Sequence, residues 1–172
     1  MQIELGHDIR SRLRKALRQA GCREIGGMIF AEQLAPAHFR VMDFSLDAHS
    51  GSHTMFNRDP DVHRQVLDDF FRRTGQDFTR FNYLGEWHSH PSFSVHPSLD
   101  DIATMTDLVE NGEDISFAVL MIVRLRFQLW IDYTFTAFAR GAAPMTSHIV
   151  RVSDEIPLHQ FIVSLLGRLA DA

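Results

Sequence analysis

The chain of 172 residues is 45% hydrophobic, carries a formal net charge of −5 at pH 7 and contains one cysteine, Cys22. This length and apolar content suffice for one compact domain with its own core. A single cysteine excludes an intramolecular disulfide framework. The negative net charge, with no block of basic residues, argues against nucleic acid as the main partner. Because the chain has neither an apolar run of about 18 residues nor a signal-peptide pattern, we expect a cytoplasmic protein with no membrane segment.

The first half of the chain predicts strands that alternate with two helices. Apolar residues recur at helical spacing before Gly21, which stands where a helix would end. Asp59-Pro60 has the residue types preferred at the start of a second helix, and Gly75 follows its expected end. Gly26 and Gly27 allow close backbone approach within a strand. The predicted elements are strands at 2–5, 22–31 and 38–46, helices at 7–20 and 59–74, and a loop at 48–53.

The second half continues the same alternation. Residues 115–123 are nearly continuous apolar sequence, the pattern of a strand covered on both faces, and residues 126–137 alternate as a half-exposed partner strand. Further elements are a strand at 81–87, a helix at 99–110, a break at 141–144 and a C-terminal amphipathic helix at about 154–170. The fold class is therefore mixed α/β, with a central mixed sheet flanked by helices in one domain over 1–172.

Two histidines one residue apart, His88 and His90, directly follow the predicted strand at 81–87. A proline-bounded loop and then Asp101 come after them. Alternate side chains on a strand point to one face, and Pro91 favours extended backbone at His90, so both imidazoles can reach one ion. Asp101 would return to that ion from the first turn of the next helix. Imidazole and carboxylate ligands suit Zn²⁺, and three protein ligands leave a fourth position open, as in catalytic sites.

Each of these residues also has a structural interpretation. Ser98, three residues before Asp101, fits an N-terminal helix cap of the capping-box kind, and a capping Ser98 can still be catalytic. The two histidines could be ordinary satisfied imidazoles. His96 matches no ligand position and is interpreted as a loop histidine. Glu24 by itself would be an ordinary strand-end carboxylate.

The spacing Glu24, His88-Ser89-His90, seven residues, Ser98, two residues and Asp101 resembles the JAMM signature of the MPN-domain metallopeptidases, of the stand-alone bacterial type. The segment Glu24 to Phe30 resembles the glutamate, glycine and apolar strand of that family. The resemblance covers about residues 1 to 140. It implies a three-layer fold similar to that of the zinc deaminases, with one zinc on His88, His90 and Asp101. It further implies Glu24 as general base and Ser98 as oxyanion stabiliser.

Two classes of function follow from the resemblance. The first is a zinc isopeptidase or peptidase that cuts after the C-terminal glycine of ubiquitin or a ubiquitin-like protein, by deconjugation or precursor processing, beside adenylating or conjugating enzymes of the same pathway. The second is a non-catalytic MPN scaffold or protein-binding module, although such relatives usually lose signature residues and this sequence has all of them. The chain lacks the PCxxC pattern of zinc deaminases and the HExxH pattern of the common metalloproteases.

Overall fold

The computed structural model describes residues 1–46, 60–112 and 115–150. The predicted loop at 48–53, the start of the second helix at Asp59 and the predicted helix at 154–170 lie outside these residues. Within them, no helix is long and apolar enough to span a membrane. The elements are β1 (Gln2–Leu5), α1 (His7–Ala20), β2 (Gly26–Ala35), β3 (His38–Phe44), α2 (Pro60–Arg73), β4 (Phe81–Ser89), α3 (Leu99–Asn111), β5 (Phe117–Arg126), β6 (Trp130–Ala139), β7 (Met145–Thr146) and β8 (His148–Val150).

The strands form one mixed sheet in the order β7-β6-β5-β4-β2-β3-β1-β8. The pairs β1–β3, β1–β8 and β4–β5 are parallel, and the others are antiparallel. Alternate residues of β5 enter two different cores, Val119 and Met121 with α1, and Leu120 and Ile122 with α3. Because alternate side chains point to opposite faces, α1 and α3 cover opposite faces of the sheet. The mixed α/β class and the helix-flanked sheet are thus confirmed.

Helix α1 is amphipathic, as its spacing predicts. It buries Ile9, Leu13, Ala16, Leu17 and Ala20 against the sheet. It ends at Gly21, whose φ of 65° lies in the left-handed region and whose N–H donates to the Leu17 carbonyl. Helix α2 covers the other face, where its Phe70 ring stacks on Phe30 of β2 with centroids 4.9 Å apart. Three layers result, with the sheet in the middle.

Two glycines permit the close approach of backbones around β4. A Cβ added to Gly27 would lie 2.1 Å from the Ser45 carbonyl oxygen, and one added to Gly85 would lie 1.9 Å from the Val119 carbonyl oxygen. Gly85 also lies where the β2–β4 register shifts. Side chains at either position would push strands apart, so these glycines maintain the register that leads to the end of β4.

The predicted strand over 126–137 is wrong at its start. Phe127 and Gln128 have φ values of 50° and 60°, and the Leu129 N–H donates to the Arg126 carbonyl at 2.9 Å, so a turn separates β5 from β6. Positive φ at both central residues is the pattern of a type I′ hairpin turn, which usually contains Asn and Gly. Residues 126–129 carry neither type, and alternation therefore extended the predicted strand through the turn.

The short strands β7 and β8 were not predicted. The Ser147 N–H between them donates to the Phe135 carbonyl of β6, and the His148 N–H donates to the Met1 carbonyl. One hexapeptide therefore pairs with β6 at one side of the sheet and with β1 at the other. Such short pairings leave no apolar periodicity in the sequence that a pattern search would detect.

The Asp43 carboxylate at the end of β3 joins two helices to the sheet. Arg12 of α1 and Arg73 of α2 each donate to it at 2.7 Å, and its side chain is 15% exposed. Partial burial alone would raise the pKa of Asp43, but the hydrogen bonds from Arg73, Arg12 and the Phe44 N–H hold it below its usual value. The folded state therefore favours the ionised carboxylate.

We expect Asp43→Asn to lower the free energy of unfolding at pH 7 by about 1 kcal/mol, as for partly exposed ion pairs. A lowered folded-state pKa stabilises the protein above the unfolded value of about 3.9, and this contribution disappears as pH falls through the folded pKa. In urea denaturation, the free energies of unfolding of wild type and Asp43→Asn should thus differ at pH 7 and converge as the pH falls toward 3. Asp69→Asn, which removes an exposed i,i+3 pair with Arg72, is the control, and an equal effect there would contradict a special role for Asp43.

Candidate metal centre

The two motif histidines lie at the end of the central strand β4. His88 pairs with Gly26 of β2 on one side and with Ile122 of β5 on the other. His90 follows the strand, and its N–H donates to the Val123 carbonyl at 3.0 Å. Because strands flank β4 on both sides, the backbone here is fixed and extended, as Pro91 predicts.

The side chains of three residues, His88, His90 and Asp101, converge at this point. The Nε2 atoms of His88 and His90 are 3.0 Å apart, the Asp101 Oδ1 is 3.3 Å from the His88 Nε2, and the Asp101 Oδ2 is 3.7 Å from the His90 Nε2. Ligands of a tetrahedral ion bound at 2.0–2.1 Å lie about 3.3 Å apart. Each imidazole Nε2 lies near that spacing from the other and from one oxygen of the carboxylate, and one ligand atom from each residue lies within 4.8 Å of the others, so this group could hold a metal. The donor set of two imidazoles and one carboxylate is one that zinc accepts.

The Asp101 carboxylate also takes part in the N-terminal cap of α3. Its Oδ2 accepts from the Ser98 N–H at 2.7 Å and from the Ser98 hydroxyl at 2.8 Å, while the Asp101 N–H donates to the Ser98 Oγ at 3.1 Å. This reciprocal capping box begins α3. Burial alone would raise the pKa of Asp101, but His88 and Ser98 hold it well below its usual range. The carboxylate is therefore ionised, as a metal ligand must be.

A carbonyl fixes the tautomer of His90. The His90 Nδ1 lies 2.8 Å from the Ser94 carbonyl oxygen, which can only accept, so the Nδ1 carries the proton. In the neutral ring the Nε2 then keeps its lone pair, directed toward His88 and Asp101. Such a second contact orients metal-binding histidines and sets which nitrogen binds.

The loop that contains Ser94 is held to the sheet by two side chains. The Arg124 Nη1 donates to the Phe93 carbonyl at 2.8 Å, and the Thr134 hydroxyl donates to the Val95 carbonyl. The carbonyls on both sides of Ser94 are thus anchored to β5 and β6. We call Arg124 and Thr134 the loop anchors.

Glu24 lies just before β2, and its neighbour Ile25 is joined to the histidine segment. The Ser89 N–H donates to the Ile25 carbonyl at 2.8 Å, and the Ile25 N–H donates to the Ser89 Oγ at 3.0 Å. Ser89 is fully buried between the two histidines in the chain. Glu24 itself is half-buried, and within the described residues no hydrogen bond or ion pair involves its carboxylate. The structure thus places Glu24 beside the strand end that carries the ligands.

The remaining predicted positions behave as follows. The Ser98 hydroxyl caps α3 and donates to Asp101, so the structural interpretation of Ser98 is correct. To donate to a substrate, this hydroxyl would have to turn away from Asp101. His96 is exposed in the loop and is not part of the ligand group, as predicted.

Comparison with known proteins places the chain in a family. The sequence profile described as prokaryotic homologs of the JAB domain matches residues 7–135, which include all five signature residues. The chain belongs to this family. The match confirms the resemblance to JAMM and MPN domains drawn from the motif. No curated protein matches the sequence.

Solved structures of other proteins have folds similar to that of this chain. A protein of Desulfitobacterium hafniense, DSY2949, has a TM-score of 0.64 at 19% identity, over 92% of this chain and 97% of its own. A protein of Salinibacter ruber has a TM-score of 0.56 at 20% identity, over 90% and 94% of the two chains. At these identities the likeness supports the fold alone.

Three residues of this JAB-domain site were not predicted from the sequence. Ser89, Arg124 and Thr134 act through hydrogen bonds to backbone atoms of distant segments, and such contacts leave no spacing to detect. One available signal was the position of Ser89 between the two histidines. Arg124 interrupts an apolar strand and could have been marked on that ground.

Replacing Thr134 by Val should weaken metal binding by about tenfold, within the range of 10–100-fold found for second contacts of metal ligands. The hydroxyl that holds the Val95 carbonyl is lost while the side-chain shape is kept, so His90 becomes less well oriented. Competition with a chromophoric zinc chelator measures the affinity. Thr136→Val, two residues along the same strand, is the matched control, and equal affinities of both variants and wild type would contradict the anchoring role.

Proposed function

We propose that this JAB-domain protein is a zinc-dependent peptidase or isopeptidase that hydrolyses the bond after the C-terminal glycine of ubiquitin or a ubiquitin-like protein, in deconjugation or precursor processing. The observation that carries the proposal is the convergence of the His88, His90 and Asp101 ligand atoms, which lie within 4.8 Å of one another. Adenylating or conjugating enzymes of the same pathway are the expected partners. The expected compartment is the cytoplasm, since the only cysteine, Cys22, is unpaired.

The ligand group would hold the ion through the Nε2 atoms of both histidines and through the Asp101 carboxylate. A bound zinc would supply Lewis acidity, which lowers the pKa of water and polarises a carbonyl. The tautomer of His90 and the ionised state of Asp101 both keep lone pairs ready for that ion. Two of the three ligand residues, His90 and Asp101, thus present lone pairs toward the position of the ion.

Glu24 is the base in this proposal. Its carboxylate would take the proton from the attacking water and transfer it to the leaving amine as the tetrahedral intermediate breaks down. The hydrogen bonds between Ser89 and Ile25 keep Glu24 at the strand end that carries the histidines. The hydroxyl of Ser98, once turned from Asp101, would donate a hydrogen bond to the oxyanion.

We predict about one zinc per chain, and variants should separate binding from chemistry. His88→Ala and Asp101→Ala should lower zinc content, melting temperature and turnover together, because each removes a ligand and metal binding stabilises the fold. Glu24→Gln should keep the zinc while turnover falls about 10²–10⁴-fold, the usual cost of losing a general base. Elemental analysis, thermal melting and initial rates measure these effects.

Ser98→Ala should fall between these cases. Losing the cap should cost about 1 kcal/mol of stability, and losing an oxyanion donor should cost about 10²–10³-fold in rate. Protein purified after zinc-supplemented expression without bound metal would refute the metal-site assignment. Full activity of Glu24→Gln would refute its role as base, even with zinc present.

The substrate class is tested with a panel of ubiquitin and ubiquitin-like sulfur carriers, each fused through its C-terminal diglycine to a reporter. We expect cleavage after the second glycine of at least one member, and we expect replacement of that glycine by a bulky residue to block it. Equal cleavage of an unfolded casein would instead indicate a general protease. Binding of a panel member without cleavage by the zinc-loaded protein would favour the non-catalytic scaffold.

A further inference from the structure

Aromatic side chains are exposed at the end of the sheet that carries the metal site. Phe127, Leu129 and Trp130 at the β5–β6 turn are 74%, 53% and 61% exposed, and Phe93 in the loop after His90 is 64% exposed. We call these four residues the aromatic tip. Neighbouring exposed apolar side chains mark interaction sites on soluble proteins, and Trp is a frequent anchor of such interfaces.

Trp130 of the aromatic tip lies on the same face of the sheet as the metal ligands. Ile122 of β5 pairs with His88, and Arg126 of β5 pairs with Trp130. Alternate residues of a strand share a face, so His88, Ile122, Arg126 and Trp130 all point to one side. Arg126 lies four positions after Ile122, which is about 13 Å along the strand.

Phe93 lies beside the metal ligands, and its backbone is bound to β5. Its carbonyl is bound by Arg124, which lies midway along that four-residue step. Its ring meets the His90 ring edge-on, with centroids 6.5 Å apart. The Phe127 and Trp130 rings are likewise 6.3 Å apart in an edge contact. Exposed aromatic rings therefore lie both beside the metal ligands and at the turn.

The turn is held rigidly in a conformation that its residues do not favour. Phe127 and Gln128 both have positive φ, a strained conformation for residues other than glycine. Arg18 of α1 donates to the Gln128 carbonyl at 2.8 Å, and Arg14 donates to the Leu129 carbonyl at 3.3 Å. A bulky ring at a position suited to Asn or Gly is thus presented to solvent on a fixed backbone, as preorganised binding surfaces are.

The charges around the aromatic tip are mainly positive. Arg126 lies 3.3 Å from Asp132 and is paired. Within the part of the chain that the structure describes, Arg14 and Arg18 contact carbonyl oxygens and, for Arg14, the Ser11 hydroxyl, but no carboxylate. Positive charge therefore remains here, in a chain of net charge −5. Complementary charge steers partners and fixes their orientation, so the surface fits an apolar patch flanked by carboxylates.

We propose that the aromatic tip docks the folded body of the protein substrate, through an apolar patch flanked by carboxylates, while the extended C-terminal tail reaches the metal ligands. An extended chain spans about 3.3–3.6 Å per residue, so a tail of about four residues covers the distance along β5. The inference rests on the proposed function for the identity of the substrate. It adds the surface that distinguishes a folded protein from a free peptide.

Binding tests the docking surface without chemistry. Zinc-loaded Glu24→Gln protein is titrated with each diglycine-ended panel protein by calorimetry, and the tightest binder is kept. Phe127→Asn removes the ring but suits the turn better than Phe, and Trp130→Thr keeps strand propensity. Each should weaken binding about tenfold or more, as loss of an interface anchor does. Phe78→Ser, an aromatic residue more than half exposed at the opposite end of the sheet, should change nothing.

Turnover provides a second readout in the background with Glu24 intact. Phe127→Asn and Trp130→Thr should raise KM for the folded substrate about tenfold and leave hydrolysis of a six-residue diglycine tail peptide within twofold. Removing three residues between the folded body and the diglycine should abolish cleavage of the folded substrate. Raising salt should raise KM for the folded substrate only, since exposed charges are screened.

These results distinguish the two proposals. Tip-dependent binding with no cleavage of any substrate refutes the hydrolase function and keeps the docking surface. Cleavage with equal KM for wild type and both variants refutes the docking surface and keeps the hydrolase. Failure of every panel protein to bind also overturns the inference. If wild type sediments as a dimer that Trp130→Thr converts to a monomer with unchanged substrate affinity, the tip joins two copies instead and the inference is wrong.

Discussion

The arrangement of the site depends on the pair of hydrogen bonds between Ser89 and Ile25. Two hydrogen bonds join the start of β2 to the end of β4, and both residues are buried, so water does not compete for these bonds. These bonds bring together residues that are 64 positions apart in the sequence. Gly27 and Gly85 permit the close strand pairing that continues from them. Glu24 and the histidines thus share a location because of backbone pairing, not through contacts of their own.

The sequence was sufficient to predict the elements with strong periodicity and the ligand group. The bounds of β1 and α1 agree with the predicted ones, and His88, His90 and Asp101 converge as expected. These features are encoded locally, by apolar spacing, capping residues and the alternation of a strand. The capping box of Ser98 with Asp101 was also predicted from its spacing, as the structural interpretation of Ser98.

Other features depend on long-range contacts and could not be predicted from one sequence. Arg124 and Thr134 hold the loop through carbonyl groups, which are present in every residue and so carry no sequence signal. The turn at Phe127 and Gln128 is stabilised by Arg18 and Arg14 from α1, more than 100 positions away. Tertiary hydrogen bonds thus overrode local turn preference, and the hairpin began where alternation predicted continuous strand.

The hexapeptide 145–150 has a consequence for folding order. It pairs with β6 through β7 and with β1 through β8, so the N-terminal strand acquires its outer neighbour from the far end of the described chain. During synthesis, β1 can pair with β3 early, but its second side stays open until residue 150 has left the ribosome. Contacts of such sequence separation slow folding, and an unpaired edge invites association with other chains. The nascent protein is therefore most exposed to misassembly in the interval before β8 pairs with β1.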